Sequence, residues 1–216
     1  MKEKSHIAKE HYDISTTDGM KVWQRAVKRI ADITCSLAGI LLLSPLIAAI
    51  ALLIKRQHNG NVLFRQERIG RGGKPFTIYK FRTMSTMIED SVPQLVATCD
   101  STNSTPLEIF LRSHHLDELP QLWNVLRGDM SLVGPRPERK YFIDMIMQQD
   151  ARYELLYKIR PGLTSEATLY NGYTDTMEKM LKRLSMDLHY MNTRTLRLDT
   201  SILIKTAIKI ITGKKF

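Results

Sequence analysis

The sequence predicts a mainly helical α+β protein that is anchored to a membrane. Three features predict this class: a long uncharged apolar run near the start of the chain, two strand-like segments around a glycine-rich loop, and later segments with apolar residues at helical spacing. At 216 residues, the chain is long enough to bury a substantial core as one domain with appendages.

The chain is strongly basic. It carries 32 Lys and Arg residues against 22 Asp and Glu residues, a formal net charge of +10. Such a surface suits anionic lipids, phosphorylated substrates or nucleic acid. The two cysteines, Cys35 and Cys99, form neither a disulfide framework nor a zinc-binding pattern. We therefore expect a reducing, cytoplasm-facing environment.

The first 58 residues predict a tail and a membrane anchor. Residues 1–20 are polar without helical periodicity, which favours a loose tail. Residues 21–32 mix basic and apolar side chains, a pattern typical of a helix among lipid headgroups. Residues 33–54 are 22 uncharged residues, and about 20 suffice to cross a bilayer. We therefore assign residues 21–58 to a basic amphipathic lead-in and a membrane helix.

Two topologies remain open for this apolar run. A single transmembrane helix is the simpler one. A re-entrant helix is favoured by Ser44-Pro45 at its centre, because proline removes a backbone hydrogen bond and kinks a helix. Basic residues on both flanks also favour it, since positive charge is retained on the cytoplasmic side.

A β-hairpin is predicted next. Residues 62–69 and 76–81 read as strands around a glycine-rich loop at 70–75. The loop lacks the residue order of a phosphate-binding P-loop and is not followed by a helix, so we interpret it as a turn. Lys80 and Arg82 lie two residues apart, which places both cations on one face of the strand. That face is either solvent-exposed or in contact with phosphate.

Asp117 and Glu118 form the centre of the predicted chemistry. Pro120 is tolerated only in a first turn, so both carboxylates fall at the cap or first positions of a helix. Ordinary helix capping explains acids there equally well. Alternatively, such a carboxylate attacks phosphorus or binds Mg²⁺. The expected buried face of this helix contains Leu116, Leu119, Leu122, Trp123 and Leu126.

Arginines flank this pair on both sides. Arg112 lies five residues before Asp117, and Arg136 is held between two prolines. Planar guanidinium groups match pyrophosphate oxygens in bidentate geometry. The adjacent histidines His114 and His115 are candidates for metal binding or acid/base chemistry, but they point apart on any regular element. We do not favour a catalytic role for them, and their role stays open.

Six motifs stand in order between about Lys28 and Lys209 and resemble the bacterial sugar transferase family, small monotopic polyprenyl-phosphate phosphoglycosyl transferases. They are Lys28-Arg29-x-x-Asp32, Ser44-Pro45, Tyr79 to Met84, Leu116 to Gln121, Gly128 to Pro137 and Arg160 to Thr164. The resemblance implies a re-entrant helix broken at Ser44-Pro45 and a cytoplasm-facing catalytic domain over residues 59–216. It also implies location at the bacterial inner membrane, among its lipids.

The implied reaction moves a sugar 1-phosphate from a UDP-sugar to undecaprenyl phosphate with Mg²⁺ and releases UMP. It proceeds through a phosphosugar-aspartyl intermediate and is the first membrane step of glycan assembly. By resemblance, Asp117 is the nucleophile and a metal ligand, and Glu118 assists the lipid phosphate or the metal. The same resemblance gives phosphate-binding roles to Arg112, Arg136, Lys80 and Arg82.

Some segments depart from the family's usual sequence: 100–110, 114–115 and 165–172. They bear on the choice of sugar, so the sugar and the glycan pathway stay open. Residues 138–157 and 176–192 predict amphipathic helices. The apolar face over 203–211 is either buried core or, as we favour, an interfacial helix.

A different class of function also fits the composition. A non-enzymatic basic adaptor would bind anionic lipid or nucleic acid in proportion to charge, and Asp117→Asn would leave it unaffected. We expect the enzyme instead, with no nucleic-acid partner. A homodimer is left open.

Overall fold

The computed structural model describes residues 18–57, 61–83, 105–172 and 174–212. Over these ranges the protein is mainly helical and contains two small sheets, which confirms the predicted balance of elements. The helices are α1 (Val22–Gln57), α2 (Pro106–Ser113), α3 (Gln121–Arg127), α4 (Lys140–Gln149), α5 (Glu166–Asn171), α6 (Met177–Thr193) and α7 (Leu196–Thr212). The strands are β1 (Leu63–Ile69), β2 (Pro75–Phe81), β3 (Ser131–Val133) and β4 (Gly162–Thr164).

Helix α1 has 36 residues and is therefore about 54 Å long. Its length and composition would allow it to cross a membrane. Its buried and half-buried residues recur every three or four positions, so one face packs along the rest of the protein over most of the helix. These residues include Lys28, Asp32, Ser36, Ile40, Leu43, Ile47, Ile50 and Ile54. Large apolar side chains, Leu41 and Leu42 among them, are exposed on other faces.

Ser44 compensates for the proline inside α1. Pro45 has no N–H group, so the carbonyl of Leu41, four residues earlier, loses its usual helical donor. The Ser44 hydroxyl donates to that carbonyl at 2.8 Å instead. The helix continues through this pair without a change of secondary structure. The break predicted at Ser44-Pro45 is therefore not confirmed, and the re-entrant path stays a prediction.

The predicted β-hairpin is confirmed. Strands β1 and β2 pair antiparallel, from Leu63 opposite Phe81 to Ile69 opposite Pro75. Gly72 and Gly73 in the turn have φ values of 72° and 69°, which glycine adopts without strain.

The sequence did not predict a second sheet, in which β3 and β4 pair in parallel. Gly134 and Gly162 allow the segments to approach closely, since a Cβ added to Gly162 would lie 2.1 Å from the Gly134 nitrogen. This pairing brings the segment before Arg136 against the segment after Arg160.

Two hydrophobic clusters support these elements. The larger cluster joins α3, β3, α4 and α6 with parts of β2, β4 and α7. The smaller one lies under the second half of α1, where Ile50 and Ile54 contact Phe81 and Leu111. Leu116 and Leu119 pack against this smaller cluster, so the segment that contains Asp117 and Glu118 is placed beside α1.

One of the two other predicted helices is confirmed, the other is divided in two, and one predicted buried side chain is exposed. The helix predicted over 176–192 is α6, and the Thr176 side chain caps it. The one predicted over 138–157 divides at Asp150 into α4 and a 3-10 turn. Trp123 is 53% exposed, so its predicted burial was wrong, and the polar Gln121 and Asn124 are buried instead.

The predicted tail and surface loop lie mostly outside the described residues, which begin at 18 and omit 84–104. The last residues of the tail are packed, because Asp18 binds Arg194 and Arg25 and Met20 is buried.

Candidate active site

Asp117 and Glu118 lie in a 3-10 turn, Leu116–Glu118, directly before α3. Pro120 is the N-cap residue of α3, so the two acids occupy a separate turn rather than the first turn of α3 itself. His115 precedes the turn with φ of 52°, a left-handed conformation that is uncommon outside glycine. The flanking leucines are anchored under α1, and the acids between them therefore have a fixed position.

Glu118 is held by two cations from distant parts of the chain. Its Oε1 atom lies 2.6 Å from Lys80 Nζ on β2 and 3.4 Å from Arg136 Nη2 after β3. Burial opposes the ionisation of Glu118, but Lys80 and Arg136 outweigh burial and lower its pKa to about 2. Glu118 is therefore an anion at neutral pH that positions both cations.

Asp117 is in a different environment. It is only 9% exposed, and its carboxylate forms no ion pair within the described part of the chain. Burial raises the pKa of Asp117 to about 6, although Lys80 acts in the opposite direction. Asp117 thus offers carboxylate oxygens that no cation of the described ranges contacts in an ion pair, beside two cations that can bind phosphate. Such a carboxylate can act as a nucleophile.

A second cluster of charged residues adjoins the cluster formed by Glu118, Lys80 and Arg136. Glu138 forms a 3.0 Å salt bridge with Arg68 and another with Arg183. Burial raises the pKa of Glu138, but the two arginines have the larger combined effect and lower it. A small cavity of about 20 Å³ lies between these clusters and is lined by Arg68, Lys80, Gln121 and Arg136, among others.

The residues fit a magnesium ion that arrives with a phosphorylated substrate. Within the described ranges, no three His, Cys, Asp or Glu side chains cluster as a preformed metal site. Mg²⁺ commonly takes one or two carboxylates together with substrate phosphates and water, which a lone unpaired carboxylate satisfies. Asp117 meets this requirement, whereas Glu118 is already paired.

The sequence matches known proteins over most of its length. Residues 23–213 match the bacterial sugar transferase family. This chain belongs to the bacterial sugar transferase family.

Curated relatives in this family act on different sugars. A UDP-glucose:undecaprenyl-phosphate glucose-1-phosphate transferase from Escherichia coli K12 is 41% identical, over 88% of this chain and 41% of its own. A UDP-N-acetylgalactosamine-undecaprenyl-phosphate N-acetylgalactosaminephosphotransferase from Aeromonas hydrophila is 38% identical, over 87% of this chain and 44% of its own. The chain thus spans about two fifths of the length of these relatives.

A shorter relative is matched over more of its length. The UDP-glucose:undecaprenyl-phosphate glucose-1-phosphate transferase of Caulobacter vibrioides is 40% identical, over 86% of this chain and 70% of its own.

In this member of the family, the structure brings four of the six proposed site residues together: Asp117, Glu118, Lys80 and Arg136. Arg112 ends α2, and Arg82 follows β2. Neither is among the charges that act most strongly on the two carboxyl groups. Their phosphate-binding roles stay predictions.

Sequence reasoning missed the residues that surround the candidate site. Gln121 lines the small cavity and follows Asp117 by four residues, but Asp117 lies outside α3, so helical spacing alone does not identify Gln121. Arg68, Glu138 and Arg183 are distant in sequence and have no shared motif. Nothing in the local pattern indicates that they meet.

Proposed function

We propose that this chain transfers a sugar 1-phosphate from a UDP-sugar to undecaprenyl phosphate at the cytoplasmic face of a bacterial inner membrane. The observation that carries the proposal is the buried carboxylate of Asp117, which has no ion-pair partner in the described ranges, beside Glu118, Lys80 and Arg136. The names of the relatives support it, since they are transferases of glucose 1-phosphate and of N-acetylgalactosamine phosphate to the same lipid.

The reaction proceeds in two displacements at one phosphorus atom. An Asp117 oxygen attacks the phosphorus attached to the sugar, the bond to the bridging oxygen breaks, and UMP leaves with that electron pair. An oxygen of undecaprenyl phosphate then attacks the same phosphorus. This step breaks the bond to Asp117, restores the carboxylate and forms the lipid diphosphate sugar.

The charged neighbours of Asp117 bind and orient the phosphates. Lys80 and Arg136 stabilise the negative charge that develops on the oxygens in each displacement. Glu118 fixes these two side chains in the absence of substrate and prevents their mutual repulsion. Mg²⁺, when bound at Asp117 with the substrate, would add positive charge at the phosphate oxygens.

A monotopic arrangement of α1 is supported by its packing. Asp32 and Ser36 in the first half of the helix and Ile50 and Ile54 in the second half are buried against the same domain. A helix that crossed the bilayer would carry its far end away from a cytoplasmic domain. The exposed apolar side chains of α1 would then face lipid from a re-entrant helix whose ends both remain on one side.

Helix α7 adds a second membrane surface to the proposal. Ile204, Ile208 and Ile211 are exposed on it by 56%, 55% and 80%. Such a row of apolar side chains, with Lys205 and Lys209 nearby, suits a helix in the headgroup interface.

The nucleophile is tested by Asp117→Asn. We expect the substitution to reduce Mg²⁺-dependent UMP release by about 10³-fold or more, because the amide cannot form the aspartyl intermediate. UMP release is measured with UDP-glucose and with UDP-N-acetylgalactosamine in membranes that contain undecaprenyl phosphate. Membrane association should be unchanged. Full activity of this variant would refute the assignment, and a basic adaptor would show no substrate-dependent UMP release in either form.

A further inference from the structure

A second, larger cavity lies at the beginning of α1. Its volume is about 300 Å³, and none of Asp117, Glu118, Lys80 and Arg136 lines it. Six cations line it, with Asp32 as the one acid among the described lining residues. The cations are Arg25, Lys28, Arg29, Arg71, Arg160 and Arg194.

Two nearby acids pair with three of these six cations. Asp18 binds both Arg25 and Arg194, at 3.0 Å and 2.6 Å. Asp199 binds Lys28 at 2.6 Å. These three cations therefore have two carboxylate partners between them, and three positive charges less two negative ones leave a net charge of +1 from this group.

The other three, Arg29, Arg71 and Arg160, form no ion pair with a carboxylate in the described ranges. Arg29 donates to the carbonyls of Val125 and Leu126, and Arg160 Nε donates to that of Gly128. Burial lowers the pKa of Arg160, and the charges of Arg29 and Arg71 lower it further, while Asp32 acts in the opposite direction. Three like charges thus line one cavity with Asp32 as the one acid in its described lining, and an anion there would reduce their mutual repulsion.

Ser131 supplies an unused donor in the same cavity. It is 2% exposed, lines the cavity, and its hydroxyl has no hydrogen-bond partner among the described residues. Buried hydroxyl groups are normally hydrogen-bonded. An oxygen-rich anion in the cavity would accept from this hydroxyl and from the arginines.

We propose that this cavity, the arginine pocket, binds the phosphate group of an anionic membrane lipid. A membrane lipid is favoured over a free phosphate because the first turns of α1, beside the pocket, expose apolar side chains: Val22, Trp23, Val27 and Ile30. An apolar rim beside a cationic cavity matches acyl chains next to a charged headgroup. The proposal rests on the membrane location in the proposed function but on no step of its chemistry.

The consequence is a fixed depth for the first turns of α1. A lipid phosphate in the arginine pocket would tie α1 to the turn before β2 through Arg71 and to the segment before β4 through Arg160. A lipid headgroup would thereby contribute contacts that hold these three segments of the protein together.

The test is native mass spectrometry of the full chain, released from neutral detergent, with phosphatidylglycerol or phosphatidylcholine. Asp117→Asn is present throughout, so lipid binding is measured apart from turnover. Arg71→Gln removes one pocket charge, and Lys74→Gln is its matched control, since Lys74 is exposed on the same turn but does not line the pocket. Ser131→Ala removes only the hydroxyl and retains the backbone bond from Ser131 to Pro161.

We expect one phosphatidylglycerol per chain, bound more tightly than phosphatidylcholine. Arg71→Gln should weaken it about fivefold, as for the loss of one basic group near a lipid surface. Ser131→Ala should weaken it about threefold with an unchanged unfolding temperature. Lys74→Gln should bind as the parent does.

Three results would overturn the proposal. Equal losses in Arg71→Gln and Lys74→Gln would indicate diffuse charge instead of a pocket. Equal affinity for the two lipids would remove the preference for an anionic lipid. Displacement of the lipid by millimolar inorganic phosphate would identify a site for the free anion. Each result would leave the test of Asp117 unaffected, so the two proposals can fail separately.

Discussion

Neighbouring carboxyl groups at positions 117 and 118 have opposite pKa shifts, although one turn contains both. Burial acts on each, but only Glu118 contacts Lys80 and Arg136 directly. The two carboxyl groups therefore have different roles. Glu118 stays ionised and positions Lys80 and Arg136, while Asp117 has no ion pair in the described ranges and a pKa of about 6.

This difference predicts the pH dependence of the reaction. In the proposed reaction only the ionised form of Asp117 attacks, and burial raises the pKa of Asp117 to about 6. We therefore expect kcat/KM to be constant above that value and to fall about tenfold per pH unit below it.

Glu118→Gln provides a further test of this pH dependence. It removes a negative charge that raises the pKa of Asp117, so the acid limb should move to lower pH even though the rate falls. Glu178→Gln on the exposed surface of α6 is the control. An acid limb that stays in place in Glu118→Gln would contradict this account.

At the scale of elements, the site depends on how β2 meets α3. Asn124 on α3 is fully buried, and its amide donates to the Thr77 carbonyl at 2.7 Å and accepts from the Tyr79 N–H at 3.3 Å. These bonds align the strand that holds Lys80 with the helix that follows Glu118.

Asn124→Ala should therefore lower both stability and activity. The loss of the amide removes the partner of two half-buried backbone groups and truncates a fully buried side chain, at a cost of about 2–4 kcal/mol in the free energy of unfolding. Thermal unfolding measures the stability, and UMP release measures the alignment of Lys80 with Glu118. Wild-type values in both assays would show that the strand and helix are aligned by other contacts.

Ser44 yields a prediction for the apolar helix. Ser44→Ala leaves the Leu41 carbonyl without a donor in apolar surroundings and should lower the unfolding free energy by about 1–2 kcal/mol. Ser44→Thr keeps the hydroxyl and should preserve it. The unfolding temperatures of the two variants in lipid nanodiscs are compared, and equal values would argue against this role of the hydroxyl.

The sequence predicted those elements that have strong local signals. Alternation and a glycine-rich turn identified the β-hairpin, and helical spacing identified α6 and α7. Strands β3 and β4 have three residues each, too few for alternation to be visible. The sequence predicted which residues belong to the site. It did not predict the contact between Glu118 and Lys80, because these residues lie 38 positions apart and meet only through tertiary packing.

At the scale of the whole molecule, the exposed apolar surface of α1 is expected to hold the protein at the membrane. Leu42 is 79% exposed, so its side chain contributes little to the folded core. Leu42→Lys should move the protein from the membrane fraction to the soluble fraction, since lysine at mid-membrane costs about 2.5–3.5 kcal/mol.

Tyr141→Lys, at an exposed site on α4, is the control for this experiment. The unfolding temperature in detergent should change little in either variant. Undiminished membrane retention of Leu42→Lys would exclude this surface of α1 from contact with lipid.

The packing of α1 also has a consequence for synthesis on the ribosome. Asp32 accepts a hydrogen bond from the Leu132 N–H, 100 residues later, and Lys28 pairs with Asp199, 171 residues later. The anchor is therefore translated long before the groups that satisfy its buried polar side chains. Until those segments emerge, Asp32 and Lys28 lack these partners, and moving them into lipid would cost free energy. We therefore expect the first turns of the nascent α1 to resist deep insertion.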